Sequence, residues 1–163
     1  MVQNFALNLT CRKTQNSSTL KTAHMNIQTR FIIIDDDALN NKICSVTIRK
    51  IDSNAHIDTF TDPVEGFAYV STLATEGHDA NVILFLDINM PMMDGWEFLK
   101  QFDALEEIRR KRIRIYILSS SVEKTDMDRA KNDRNVSQYL IKPLTKETIT
   151  LITKFENNPT IKH

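Results

Sequence analysis

Five side chains capable of metal or phosphate chemistry follow four apolar segments of the chain. Asp35 and Asp36 come directly after FIII, and Asp87 ends the run NVILFLD. Ser119 follows IRIYIL, and Lys142 follows SQYLI. If the fold brings these four segment ends together, the result is a cluster of three carboxylates, one hydroxyl and one amine. Carboxylates packed this closely resist joint ionisation unless a cation joins them.

The predicted cluster has the chemistry of a magnesium-dependent phosphoryl site. Acidic side chains and carbonyl groups form an all-oxygen ligand set, which suits Mg²⁺ because that ion prefers octahedral oxygen sites and keeps several waters. A carboxylate beside Mg²⁺ and the amine of Lys142 is placed to attack phosphorus. The metal and the amine would neutralise the charge on the phosphoryl oxygens during transfer.

The elements that must position these residues alternate between strands and helices. Strands are predicted at 31–34, 56–60, 81–87, 113–118 and 137–141. Helical spacing predicts helices over 38–51, from Pro63 onward, over 95–105, from about 122 to 132, and over 145–157. The inward faces of the first three helices are predicted to be Leu39, Ile43 and Val46; Val64, Phe67, Ala68 and Ser71; and Trp96, Leu99, Phe102 and Leu105.

Five β–α units predict an α/β fold with an open, doubly wound sheet. Strands separated by single helices must be parallel, with right-handed crossovers and helices on both faces. FIII and VILFL are apolar throughout, as is typical of strands buried on both faces. In such sheets the ligand site lies at the carboxyl ends of the strands, at the switch point. The chemical residues are predicted to meet at that edge.

Composition narrows the classes of function. The 163 residues suffice for one domain, and their zero net charge gives no general attraction to nucleic acid or anionic membranes. No apolar stretch reaches the roughly 18 residues of a membrane span. Cys11 and Cys44 form no CxxC pair and are predicted to be reduced cytosolic thiols. The basic run 109–114 is expected from the dipole of a helix end rather than from nucleic-acid binding.

The segments IIIDDD, LDINMPMMDG, ILSSS and YLIKP, in this order and spacing, resemble the receiver domain of two-component response regulators. The likeness covers about residues 29–156. It implies a flavodoxin-like sheet of order 2-1-3-4-5 and a cis Lys142–Pro143 bond. The domain boundaries are expected at 1–26 for a flexible extension, 27–157 for the receiver domain and 158–163 for a tail. No output module is expected after residue 156.

The resemblance assigns a role to each site residue. It implies that Asp87 is the phosphoacceptor and that magnesium is held directly by Asp36, through water by Asp35, and by the backbone carbonyl of Asn89. Ser119 would be the hydroxyl that bonds the phosphoryl group, and Lys142 would be the lysine that bridges to it. Tyr139 would be the aromatic switch residue, and Asn89 and Ser121 would tune dephosphorylation.

The function implied by the resemblance is signalling rather than enzymatic turnover. A cytoplasmic protein would take a phosphoryl group from a histidine kinase or phosphotransfer protein and act on a separate downstream protein. Phosphorylation would draw Ser119 toward the phosphoryl group and let Tyr139 move inward, because these two residues are expected to lie close together. The readout surface would be the fourth helix, fifth strand and fifth helix.

Other interpretations of the same residues remain open. Asp35 and Asp37 also resemble the nucleophile and acid/base of haloacid-dehalogenase-type phosphatases, although Leu39 stands where Thr or Val is usual. A second alternative is a receiver-like binding module that is never phosphorylated. If residues 35–37 are considered without Asp87 and Lys142, a helix N-cap is a simpler interpretation of them than a metal site. Residues 94–95 are predicted to form a turn. The segment before the last strand lacks glycine, so Asn132 or Asn135 is predicted to adopt the left-handed conformation.

Overall fold

The structure is a computed structural model that describes residues 29–75, 81–105 and 112–157. It contains five strands: β1 (Thr29–Ile34), β2 (His56–Phe60), β3 (Asn81–Leu86), β4 (Ile113–Ser119) and β5 (Val136–Ile141). Five helices are described: α1 (Ala38–Arg49), α2 (Pro63–Thr75), α3 (Gly95–Asp103), α4 (Lys124–Asn132) and α5 (Lys146–Asn157). All neighbouring strands are parallel and the sheet order is β2-β1-β3-β4-β5, which confirms the predicted fold.

The register of the central strands brings their carboxyl ends to one level. Ile34 of β1 pairs with Leu86 of β3, and Leu86 pairs with Ile117 of β4. Residues 82–86 are buried, as expected for a strand with helices on both faces. The residues that follow these strands, including Asp35 and Asp87, therefore emerge side by side.

Two hydrophobic cores lie on opposite faces of the sheet. One core joins the sheet to α2, α3 and α4 through residues such as Val70, Phe98 and Ala130. The other joins it to α1 and α5 through residues such as Ile48 and Ile152. This division of the helices between the two faces makes the sheet doubly wound.

The predicted inward face of α1 is wrong. Leu39, Ile43 and Val46 are 62%, 42% and 46% exposed. The buried residues of this helix are Asn41, Cys44 and Ile48. Both sets fit helical spacing, but the second includes an asparagine, a residue that is uncommon in protein interiors. Asn41 is buried because its side chain bonds two backbone carbonyls, as described below.

The predicted face of α2 is also largely wrong, whereas that of α3 is confirmed. In α2 the buried side chains include Val70, Leu73 and Ala74, whereas Val64 is about half exposed. Phe67 is partly buried and meets Phe98 edge-on at 5.1 Å between ring centroids. In α3 the predicted residues pack as expected: Leu99 and Phe102 are buried, and Trp96 and Leu105 are partly buried.

Two loop predictions are corrected as well. Asp94 does not form a simple turn but caps α3, because its side chain accepts the backbone N–H of Glu97 at 2.7 Å. Among the described residues, the one non-glycine position with a positive φ is Met92, at 66°. Asn132 and Asn135 are therefore not left-handed. The segment turns instead at Asp133, whose carboxylate accepts the N–H of Asn135 at 2.8 Å.

Several predictions concern residues outside the described ranges. These are the N-terminal extension 1–26, the tail 158–163, Cys11 and residues 109–111 of the basic run. The domain boundaries therefore stay predictions. Within the described ranges, none of the helices combines the length and the apolar character needed to cross a bilayer.

Candidate functional site

Two buried carboxylates occupy adjacent strand ends. The backbone N–H of Asp87 donates to the Ile34 carbonyl at 2.9 Å, and that of Asp35 donates to the Phe60 carbonyl at 3.1 Å. These bonds extend the sheet by one residue and hold each acid in a fixed place. Asp35 is 2% exposed and Asp87 is 6% exposed, while neighbouring Asp36 is exposed. Oxygen atoms of the three carboxylates lie within 4.8 Å of one another.

Lys142 reaches this cluster from the end of β5. Its backbone N–H donates to the Ser119 carbonyl at 2.9 Å, so the residue follows the sheet edge. The Nζ atom lies 2.6 Å from Oδ2 of Asp35 and 3.3 Å from Oδ2 of Asp87. The predicted cis Lys142–Pro143 bond is confirmed. The ammonium thus contacts both buried carboxylates and offsets part of their negative charge.

The protonation equilibria of this cluster reflect burial and mutual charge. Burial raises the pKa of Asp87, the Lys142 ammonium lowers it, the charge of Asp35 raises it, and the net direction is upward. Burial alone would lower the pKa of Lys142. Its hydrogen bonds and charge interactions with Asp35 and Asp87 outweigh that effect and raise its pKa. Lys142 is therefore firmly charged, and its loss would leave two carboxylates without this cation.

Ser119, Ser121 and Tyr139 form a continuous chain of hydrogen bonds beside the acidic cluster. Ser119 is fully buried, and its Oγ accepts the N–H of Ser121 at 3.1 Å. The carbonyl of Ser121 accepts the hydroxyl of Tyr139 at 2.8 Å. The predicted closeness of Ser119 and Tyr139 is confirmed, and Ser121 is the residue that joins them.

Two supporting residues were not predicted from the sequence. The Asn41 side-chain amide donates to the carbonyls of Asp35, at 2.9 Å, and Phe60, at 3.1 Å, so it joins the ends of β1 and β2. Gly95 lies against the backbone of Asp87, where an added Cβ would sit 2.5 Å from the Asp87 carbonyl oxygen. A buried polar residue on a helix was the available signal for Asn41. The glycine after the capping Asp94 was the signal for close packing.

A pocket of about 230 Å³ opens next to the cluster and is lined by residues that include Ile43, Cys44, Lys142 and Leu144. Burial and the charge of Asp35 raise the pKa of the Cys44 thiol to about 11, although Lys142 acts in the opposite direction. Cys44 is therefore a protonated packing residue rather than a nucleophile.

The remaining predicted residues lie at the margin of the cluster. Asn89 is exposed, two residues beyond Asp87, and its roles as a ligand and a tuning residue stay predictions. Asp37 is exposed and caps α1, since its carboxylate accepts the N–H of Leu39 at 2.8 Å. A cap holding a backbone N–H is a poor candidate for the acid/base of a phosphatase.

The donor set fits a hard divalent cation. Asp35, Asp36 and Asp87 offer carboxylate oxygens that converge on one region, and one of these residues faces solvent. Oxygen donors with access to water suit Mg²⁺, which keeps part of its hydration shell. Asp36 and Asp87 would hold the ion, with Asp35 behind them paired to Lys142.

A parallel sheet of order 2-1-3-4-5 with carboxylates, a serine and a lysine on neighbouring strand ends defines the class of signalling receivers. A family model for the response regulator receiver domain matches residues 31–154. The chain belongs to this family, and it is therefore a receiver domain of two-component signalling.

Sequence similarity to two other proteins is consistent with this family. The chain is 27% identical over 136 residues to hybrid signal transduction histidine kinase F of Dictyostelium discoideum. The alignment covers 79% of this chain but only 11% of the kinase. It is 25% identical over 118 residues to a probable methanogenesis regulatory protein of Methanothrix harundinacea, covering 72% of this chain and 74% of that protein.

Solved structures show the same architecture. A two-component response regulator from Cytophaga hutchinsonii superposes with a TM-score of 0.71 and 27% identity, covering 80% of this chain and 98% of that one. A response regulator receiver protein from Dyadobacter fermentans gives a TM-score of 0.67 and 28% identity, covering 77% and 95% of the two chains.

Proposed function

We propose that this chain accepts a phosphoryl group on Asp87, with Mg²⁺, from a histidine kinase or a histidine phosphotransfer protein. The observation that carries the proposal is the contact of one ammonium group, that of Lys142, with two buried carboxylates, Asp35 and Asp87. Receiver domains as a family exchange phosphoryl groups with such donors. The similarity of the chain to part of a hybrid signal transduction histidine kinase supports this class of partner.

The chemistry follows from the groups that surround Asp87. One carboxylate oxygen forms a bond to phosphorus while the bond from phosphorus to the donor nitrogen breaks, and the donor imidazole leaves with a proton from solvent. Lys142 stabilises the negative charge that collects on the phosphoryl oxygens. Bound Mg²⁺ would supply further positive charge at the same oxygens. The product is an aspartyl phosphate, and we expect no multiple turnover of a separate substrate.

The switch would use the chain of hydrogen bonds that begins at Ser119. Its hydroxyl would turn toward a phosphoryl oxygen, because a charge-assisted hydrogen bond is stronger than a neutral one. Tyr139 would then move inward. The readout surface proposed for α4, β5 and α5 carries the exposed apolar side chains Met127, Ile141, Leu151 and Phe155. Contact with a separate protein would remove these side chains from water, which is favourable.

Acetyl phosphate with Mg²⁺ tests the proposal directly. Wild-type protein should gain the mass of one phosphoryl group, and peptide mapping should place it on Asp87. Asp87→Asn should gain none, whereas Asp128→Asn, a matched change of an exposed aspartate on α4, should behave as wild type. Absence of label from the wild type would instead favour an unphosphorylated binding module. Sustained hydrolysis of a generic phosphate ester would favour the phosphatase alternative.

The role of Ser119 has a separate test. Ser119→Ala should still accept the phosphoryl group on Asp87 but should not transmit the change to Tyr139. Backbone NMR with and without beryllofluoride would compare the two proteins. Equal shifts around Tyr139 in both would show that the hydroxyl does not couple the site to β5.

A further inference from the structure

Among the described helices, α4 has the fewest buried residues. Of its nine residues, Ala130 is the one that is buried. Burial of apolar side chains is the main force that holds a surface helix on a sheet. With little apolar side-chain burial, polar side-chain contacts with neighbouring elements contribute to the position of α4.

Polar contacts join α4 and the turn after it to other elements. At its centre, the Arg129 guanidinium lies 4.2 Å from the centroid of the Trp96 ring on α3. Beyond its end, Arg134 donates two hydrogen bonds to Asp103, at 2.8 and 2.9 Å, but this pair is largely exposed. Exposed ion pairs contribute about 0–1 kcal/mol. At its beginning, Asp126 accepts the hydroxyl of Ser121 at 2.9 Å.

Ser121 is the residue where these contacts meet the candidate site. Its N–H donates to Ser119 Oγ and its carbonyl accepts the Tyr139 hydroxyl. Its own hydroxyl donates to Asp126 and accepts the N–H of Glu123 at 3.2 Å. Every polar group of Ser121 is thus engaged. A displacement of Ser119 toward Asp87 must either break one of these bonds or move the whole loop.

We propose that Asp126 is a positioning residue that transmits the movement of the β4–α4 loop to α4 through its hydrogen bond with Ser121. Two residues separate Ser121 from the first residue of α4, so a change in their backbone conformation could let the loop move without the helix. The Ser121–Asp126 hydrogen bond links the loop directly to the first turn of the helix. The inference rests on the proposed function, because the movement begins with a phosphoryl group on Asp87.

Asp126 also has a simpler role, which is to stabilise α4 through its charge. An acid in the first turn of a helix stabilises the helix dipole. Asp126→Asn removes the charge but keeps an oxygen that can accept the Ser121 hydroxyl. Asp126→Ala removes both. The two substitutions therefore distinguish a hydrogen bond from a charge effect.

Trp96 provides the readout, because it is the only tryptophan in the chain and contacts Arg129 of α4. Its indole N–H gives one cross-peak in a ¹⁵N spectrum of the full chain. Beryllofluoride with Mg²⁺ should shift this peak in the wild type and in Asp126→Asn. Asp126→Ala should lose more than half of the shift while Tyr139 still responds. Asp128→Ala, on the same helix, should keep the full shift.

A second variant tests the same bond from the other side. Ser121→Ala should lose the Trp96 shift as Asp126→Ala does, and the double variant should lose no more than either single one. A full Trp96 shift in Asp126→Ala, in protein whose Asp87 is labelled by acetyl phosphate, would overturn the inference and leave the proposed function intact. Failure of the wild type to take up any label would overturn both.

Discussion

Replacement of Lys142 by methionine tests the electrostatic design of the site. Its ammonium contacts Asp35 at 2.6 Å and Asp87 at 3.3 Å, and its side chain is 12% exposed. At an effective dielectric constant of about 20, the gross attractions are about 6 and 5 kcal/mol. Desolvation of the three charged groups offsets much of this. Methionine preserves the buried stem of the side chain but leaves two carboxylates without the cation.

The expected cost of Lys142→Met is about 3–5 kcal/mol in the free energy of unfolding at neutral pH, the typical effect of removing one partner from a buried ion pair. Urea unfolding in the presence of a chelator measures it. Asp87→Asn in the same background should recover most of the loss, because one buried charge is then gone. Lys146→Met, an exposed lysine on α5, should change the free energy of unfolding little.

The penalty should depend on pH in a defined direction. The pKa of Asp87 is raised in the folded protein, so the folded state holds this proton more tightly than the unfolded state does. Its contribution to stability is fully present below the unfolded pKa and is lost as pH rises through the folded pKa. Without Lys142, which lowers the pKa, the loss should be larger. Lys142→Met should therefore approach wild-type stability in acid.

Two results would refute this reasoning. One is a cost below about 1 kcal/mol for Lys142→Met at neutral pH, which would place the pair among weak surface contacts. The other is a double variant with Asp87→Asn that is no more stable than Lys142→Met alone. The carboxylates would then not be the groups that the lysine compensates.

Three further predictions concern neighbouring positions. Gly95→Ala should lower the free energy of unfolding by about 1–3 kcal/mol in a urea titration, because its Cβ would press on the backbone of Asp87 and Ile88; an unchanged midpoint would contradict this contact. Met92→Asn should raise the thermal midpoint by relieving about 1 kcal/mol of left-handed strain at a side chain that is 75% exposed; a lower midpoint would count against it. Asp36→Ala should weaken Mg²⁺ binding in calorimetry, and an unchanged affinity would show that the ion binds elsewhere.

The residues at the strand ends could be predicted to lie together because a few physical rules determine the arrangement of the strands. Apolar runs such as 82–86 must be buried, and single-helix crossovers must produce parallel strands. Those rules alone brought Asp35, Asp87, Ser119 and Lys142 to one edge, as the structure shows. The roles of these residues came from the resemblance to receivers and stay predictions until the site is labelled.

Helix faces were harder to predict because a partly exposed helix can carry two apolar stripes. In α1 the stripe with Leu39 and the stripe with Ile48 both fit helical spacing, and contacts distant in sequence decide between them. Asn41 is buried only because the carbonyls of Asp35 and Phe60 lie within reach. Met92 could not have been predicted, because methionine has no intrinsic preference for a positive φ.

The buried thiol of Cys44 has a practical consequence for measuring the local stability of the site. With a pKa of about 11, roughly one thiol in a thousand is ionised at pH 8, and only the thiolate reacts readily with alkylating reagents. Modification must therefore await a local separation of α1 from the sheet. Peptide mass spectrometry can distinguish Cys44 from Cys11. The rate of alkylation at Cys44 thus reports how often the contact between α1 and the sheet opens. A ligand that binds both Asp35 and Asp87 should slow this reaction.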